Sequence, residues 1–125
     1  MPSKEIIEKL IQAVETESHD QVIQNFYAED ASIQENKNEP RIGLENLVKN
    51  EREMLQNASS VQSKCILPYF IAEDKVVIRW KFRFEWKNNT VTEIEEIAYQ
   101  KWKGDKIYEE QFFYDPAQFR PKPKE

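Results

Sequence analysis

From Lys75 to Trp86 the chain reads Lys-Val-Val-Ile-Arg-Trp-Lys-Phe-Arg-Phe-Glu-Trp. Val76, Ile78, Trp80, Phe82, Phe84 and Trp86 take every second position, and Val77, Arg79, Lys81, Arg83 and Glu85 fill the places between. A period of two puts the first set on one face of a strand and the second set on the other. Large rings on a single face require a curved, half-buried sheet with an aromatic wall. Two further segments, Glu93–Trp102 and Lys106–Asp115, follow across turns at Asn88-Asn89 and Lys103-Gly104-Asp105. Short polar turns of this kind join antiparallel neighbours, so the second half of the chain is expected to be a meander.

The first half reads differently. Ile6, Ile7, Leu10, Ile11 and Val14 recur at helical spacing, which predicts an amphipathic helix from Ser3 to about Thr16. Ser18-His19-Asp20-Gln21 matches a capping box and is expected to start a second helix, with Val22, Ile23, Phe26 and Tyr27 inward and an end near Ala28–Asp30. A short strand, Ala31–Glu35, and a polar loop through Pro40 follow. Gly43 opens a third helix through about Gln56, with Leu44, Leu47, Val48 and Leu55 on one side. Val61–Ile71 is the strand before the meander, and Pro68 confines it to an edge, an end or a bulge. Three helices that must bury apolar stripes belong on the concave side of the sheet. A curved sheet closed by helices makes a cone with one apolar pocket. Residues 119–125 read as a flexible polar tail.

At 125 residues the chain is long enough for one domain, spanning 1–125, with one core. Its net charge of −5 disfavours nucleic acid and anionic membrane as partners. A single cysteine, Cys65, excludes an internal disulfide and a cysteine-built metal site. The start of the chain lacks a basic stretch followed by an apolar run, and no apolar run is long enough to span a bilayer, so the expected address is cytoplasmic. No cofactor is expected. Two glycines, Gly43 and Gly104, cannot build a phosphate loop, and His19, the one histidine, reads as a residue between two helices and away from the pocket.

Phe26-Tyr-Ala-Glu-Asp-Ala31, Gly43-Leu-Glu-Asn-Leu47, the tryptophan-bearing strand, Gly104-Asp-Lys-Ile107 and Tyr114-Asp-Pro116 together resemble the NTF2-like superfamily, with its SnoaL-like branch nearest. The resemblance runs from about Glu5 to Pro116. It implies an α+β cone-shaped barrel, three N-terminal helices packed on a strongly curved, mostly antiparallel sheet. That fold carries isomerases, cyclases, epoxide hydrolases and non-catalytic binding modules, so it does not fix an activity. By the resemblance, Glu35 falls where ketosteroid isomerases hold their base, but the first-helix tyrosine and second acid that complete their oxyanion site have no match at Leu10-Ile11 and Ala98. The cyclase aspartate position falls on Phe112, which moves no proton. The epoxide-hydrolase Asp-Arg-Asp set finds no trio among Arg41, Arg79 and Arg83.

The resemblance also turns one face of the last strand, Tyr108, Glu110, Phe112 and Tyr114, toward the pocket, with Trp80, Phe82 and Phe84 from the first meander strand and Gln100 and Trp102 from the next. A carboxylate among aromatics has a raised pKa and serves as acid or base. Glu110 and Glu35 are the candidates, with Glu96 a companion, although the run Glu93, Glu95, Glu96 also reads as a solvated strand face. The outer sheet face mixes Val77, Ile97, Tyr99 and Phe113 with both charge signs, a composition suited to a homodimer. Two functions stay open: a module binding a small apolar or amphipathic molecule, which is favoured because each known catalytic set is incomplete, or an isomerase-, cyclase- or dehydratase-type enzyme using Glu110 or Glu35.

Overall fold

The computed structural model describes residues 2–124. Helix α1 spans Lys4–Thr16, α2 His19–Phe26 and α3 Leu44–Leu55. The strands are β1 Tyr27–Glu35, β2 Arg41–Ile42, β3 Ala58–Ala72, β4 Lys75–Trp86, β5 Thr90–Lys103, β6 Lys106–Phe113 and β7 Lys122–Pro123. They form one sheet in the order β2-β1-β6-β5-β4-β3, with β7 added to β5. The meander β3 to β6 is antiparallel throughout. β1 enters beside β6 as its parallel neighbour.

The helices close the concave side. Ser3 caps α1 by accepting a hydrogen bond from the Ile6 N–H at 3.1 Å, and Ile7, Leu10 and Ala13 turn inward. α2 buries Val22 and Ile23, and α3 buries Leu47 and Val48. Gly43 opens α3 with φ at 97°, a backbone state that a side chain strains. The opposing wall is the inner face of β4, where Val76, Ile78, Trp80, Phe82 and Phe84 are all buried. Pro68 lies on β3, the last strand of the sheet, within a register irregularity between Ile66 and Phe70. A residue with no N–H to give fits where the ladder is already broken.

Three local readings are corrected. The Ser18 hydroxyl bonds the Asp20 carboxylate instead of capping α2, so the capping box does not form. Tyr27 is not a helix residue. It starts β1 and pairs with Ile107, and Ala28–Asp30 then bulge before the ladder resumes at Ser32. The third concerns the last strand. Trp102 pairs with Ile107 while Lys101 pairs with Glu109, which leaves Tyr108 as an extra residue. That bulge resets the alternation. Ile107 and Glu110 therefore both face inward, and Tyr108 is half-buried with the Lys103 ammonium 5.1 Å from its ring centre.

The segment read as a tail lies along β5 as far as it is described, and Glu125 is outside the described residues. The first part of β5 extends beyond β6 and leaves backbone groups to satisfy. A 3-10 turn, Pro116–Phe119, covers them: the Gln118 side chain exchanges hydrogen bonds with the Glu95 backbone, and Thr92 Oγ1 donates to the Phe119 carbonyl at 3.2 Å. β7 pairs Lys122 with Val91 and Pro123 with Thr90.

Candidate functional site

The cone encloses a cavity of about 170 Å³. An engineered apolar cavity of roughly 150 Å³ takes up benzene, so this space suits a molecule of single-ring size. Trp80, Phe82 and Phe84 form one wall, Val22, Ile23 and Leu10 face them from the helices, and Phe112 and Phe119 complete the apolar lining. Trp80 and Phe82 stack with centroids 5.7 Å apart. Into these apolar walls project Glu35, Glu51, Glu96 and Glu110, together with Arg41, His19, Tyr27 and Gln100.

Glu110 is only 3 % exposed. Its two oxygens are both taken: the Tyr27 hydroxyl donates to one, and Gln100 Nε2 donates to the other at 2.7 Å. Gln100 is fixed in turn by Trp102, whose indole N–H donates to its carbonyl oxygen at 3.0 Å. Burial pushes the Glu110 carboxyl up to about 7, and the two hydrogen bonds hold it from rising further. Burial, then the nearby Glu110 charge, drives the Tyr27 hydroxyl well above its ordinary range.

Glu35 is also fully engaged. It accepts from Arg41 Nη1 at 2.6 Å on one oxygen and from the Tyr114 hydroxyl at 2.6 Å on the other. Burial and that hydrogen bond push the Tyr114 hydroxyl upward. Arg41 Nε is buried without an acceptor among the described residues. His19 sits between elements: its Nε2 is 2.8 Å from Ser63 Oγ, its Nδ1 is 3.7 Å from Glu51, and its ring stands edge-on to Phe82.

Glu96 differs from both. The strict alternation of β5 puts Thr92, Ile94, Glu96, Ala98, Gln100 and Trp102 on the inner face. Glu96 lines the cavity and makes no hydrogen bond or ion pair among the described residues. Desolvation, then the charges of Glu110, Glu35 and Glu51, push its carboxyl up to about 8. Near neutral pH it holds a proton that it can give up or take back, and no protein group competes for it.

Of the residues expected in the site, Trp80, Phe82, Phe84, Gln100, Phe112, Glu110 and Glu35 line the cavity. Trp102 is buried behind it and acts through Gln100. Tyr108 is excluded by the bulge at its own position, and Tyr114 holds Glu35 from outside the lining. Tyr27, Arg41 and Glu51 had not been expected there, and His19, placed away from the pocket on sequence, is part of its wall. Glu96, read on sequence as a companion of Glu110 and Glu35, also lines the cavity, on the same face of β5 as Gln100 and Trp102.

No protein-family model and no curated protein sequence matches the chain. Solved structures do. A hypothetical protein with a ketosteroid isomerase-like fold from Catenulispora acidiphila, in complex with trimethylamine, superposes with a TM-score of 0.76 at 16% identity, covering 94% of this chain and 90% of its own. A candidate SnoaL-like polyketide cyclase from Mesorhizobium loti gives 0.75 at 19%, covering 91% of this chain and 100% of its own. An epoxide hydrolase of the LEH-like type from M. tuberculosis gives 0.75 at 9%, covering 92% and 84%. The chain therefore has the NTF2-like, SnoaL-like fold. Neighbours with such different descriptions leave the chemistry to the site itself.

Proposed function

We propose that this protein takes up a small, largely apolar molecule in its cone and exchanges a proton with it through Glu96. One observation carries this reading: Glu96 faces the cavity with no protein partner among the described residues, while Glu110 and Glu35 each have both oxygens engaged. Glu110 and Glu35 then act as positioning groups and as the charges that keep Glu96 basic. In its ionised form Glu96 removes a proton from the bound molecule and becomes a neutral acid, the state that the apolar walls favour. It later returns that proton. A cavity of about 170 Å³ favours single-ring ligands over fused polycyclic ones, and the Catenulispora protein of this fold is in complex with a still smaller molecule, trimethylamine.

The test uses toluene, cyclohexanone and cyclohexylamine as probes, each titrated into labelled protein by NMR. At least one is expected to move the Trp80 indole signal and change the titration of the Glu96 carboxyl. For cyclohexanone, deuterium uptake beside the carbonyl in D2O is expected to be at least about tenfold slower in Glu96→Gln. If no probe moves Trp80 or Glu96 at millimolar concentration, the cone is not a ligand site and this reading fails.

We also propose that two copies associate through the outer sheet face. Ile97 and Phe113 are directly paired there and 44 % and 40 % exposed, and they are bordered by the ion pairs Arg79–Glu95 at 2.9 Å and Arg83–Glu93 at 3.3 Å. A face mixing apolar side chains with both charge signs is self-complementary under a two-fold axis. Among the described residues no helix is long and apolar enough to cross a membrane, and the buried, free Cys65 suits the reducing cytoplasm.

A further inference from the structure

The polar groups lining the cone are unequal in charge. Four carboxyl groups, Glu35 from β1, Glu51 from α3, Glu96 from β5 and Glu110 from β6, share it with one guanidinium, Arg41 from β2. Arg41 is committed to Glu35 at 2.6 Å. Tyr27 and Gln100 hold Glu110 with neutral donors, and His19 from α2 stands 3.7 Å from Glu51. Glu96 has no partner among the described residues. An anionic ligand would face this excess of acids inside low-dielectric walls and be repelled. A neutral ligand would leave Glu96 to keep its proton. A positive ligand would complete the site.

The walls suit an organic cation in particular. Trp80, Phe82, Phe84, Phe112 and Phe119 border the same space, and ring faces attract a positive charge that has lost its water. The acids lie on four separate strands and helices, and among the described residues no three of them with His or Cys converge as a metal would need. Resting on the reading that the cone is a ligand site, we infer that its ligand is a small organic amine, bound as the ammonium ion against Glu96 with its carbon skeleton on the aromatic wall. A neutral amine entering the cone takes the Glu96 proton onto its nitrogen, and the result is an ammonium–carboxylate pair with no net change in protons.

Three probes of one ring size test the charge alone: cyclohexylamine, cyclohexanol and cyclohexanecarboxylate, measured by calorimetry on the intact protein. The amine is expected to bind at least about tenfold tighter than the alcohol, and the carboxylate not to bind. Amine affinity is expected to rise between pH 6 and 8.5 as Glu96 and Glu110 ionise, with Glu35, Glu51, Arg41, His19 and Tyr27 the other titratable groups facing the cavity. Glu96→Gln is expected to bring the amine down to the alcohol's level, with unchanged helix and sheet signals in circular dichroism reporting that the variant is folded. If the alcohol binds as tightly as the amine, the ligand class is wrong and the cone remains a ligand site. If none of the three binds, the cone reading itself falls.

Discussion

The Tyr27 hydroxyl donates to the Glu110 carboxylate, tying the first residue of β1 to the buried middle of β6. With Gln100 on the other oxygen, this bond holds Glu110 near 7 rather than higher. Replacing Tyr27 by Phe keeps the ring and removes the donor. The Glu110 pKa is then expected to rise above about 7, and stability to fall by about 1–3 kcal/mol, because a buried acceptor loses its partner. Carboxyl-carbon NMR titration and urea unfolding measure the two effects. An unchanged Glu110 titration would show that Tyr27 does not tune it.

Stability is expected to decline as pH rises from the ordinary carboxylate range near 4.5 to about 8, and to level off above that. Glu96 and Glu110 have folded pKa values raised from 4.5 to about 8 and about 7. The contribution of each is whole below the ordinary carboxylate pKa and is lost as pH climbs through the folded value. A tenfold change in a carboxyl's acidity on folding is worth ~1.4 kcal/mol. Glu96→Gln removes one of these titrations and is expected to recover on the order of a few kcal/mol at pH 9 relative to pH 5. Urea midpoints across that range measure it, and parallel slopes in the two proteins would contradict it.

Phe119 lines the cavity, lies 6.1 Å from Phe84 and is 37 % exposed. Phe119→Ala is expected to speed cyclohexanol entry and release several-fold and to cost about 1 kcal/mol of stability, below the range for fully buried rings. Line-shape analysis of the NMR titration reads the exchange rate. Unchanged rates would mean the molecule enters elsewhere.

The proposed two-fold contact predicts twice the 15.0 kDa chain mass in sedimentation. Ile97→Glu places like charges across that contact and is expected to give monomers with intact helix and sheet signals. A wild-type monomer at tens of micromolar would end the dimer proposal.

Much of this fold can be read in the chain, because its elements follow periodicity. β4 alternates without a break, and α1 and α3 keep their apolar stripes. The errors arise where tertiary pairing overrides local pattern. Tyr108 sits on the expected face until a bulge shifts the parity of β6, and nothing in the residues around it announces the extra position. Tyr27 looks helical by spacing and becomes a strand residue only because β6 is there to receive it. Glu96 carries two readings on sequence, pocket companion by its parity with Gln100 and Trp102 and solvated acid by its neighbours Glu93 and Glu95, and only the cavity decides between them. His19 reaches the site through a partner, Ser63, that lies 44 positions away in the chain.

The parallel pairing of β1 with β6 sets an order for folding. Hairpins such as β1–β2, β3–β4 and β4–β5 form from adjacent chain, but β1 cannot find its parallel neighbour until β6 has been made and placed. Pairings distant in sequence carry a large loop-closure entropy and slow the search for the native state. On a ribosome the helices and the first hairpins would therefore wait with an open seam. Glu110 on β6 meets Tyr27 and comes beside Glu35 on β1 only as that seam shuts, so the ligand site is among the last features of the molecule to exist.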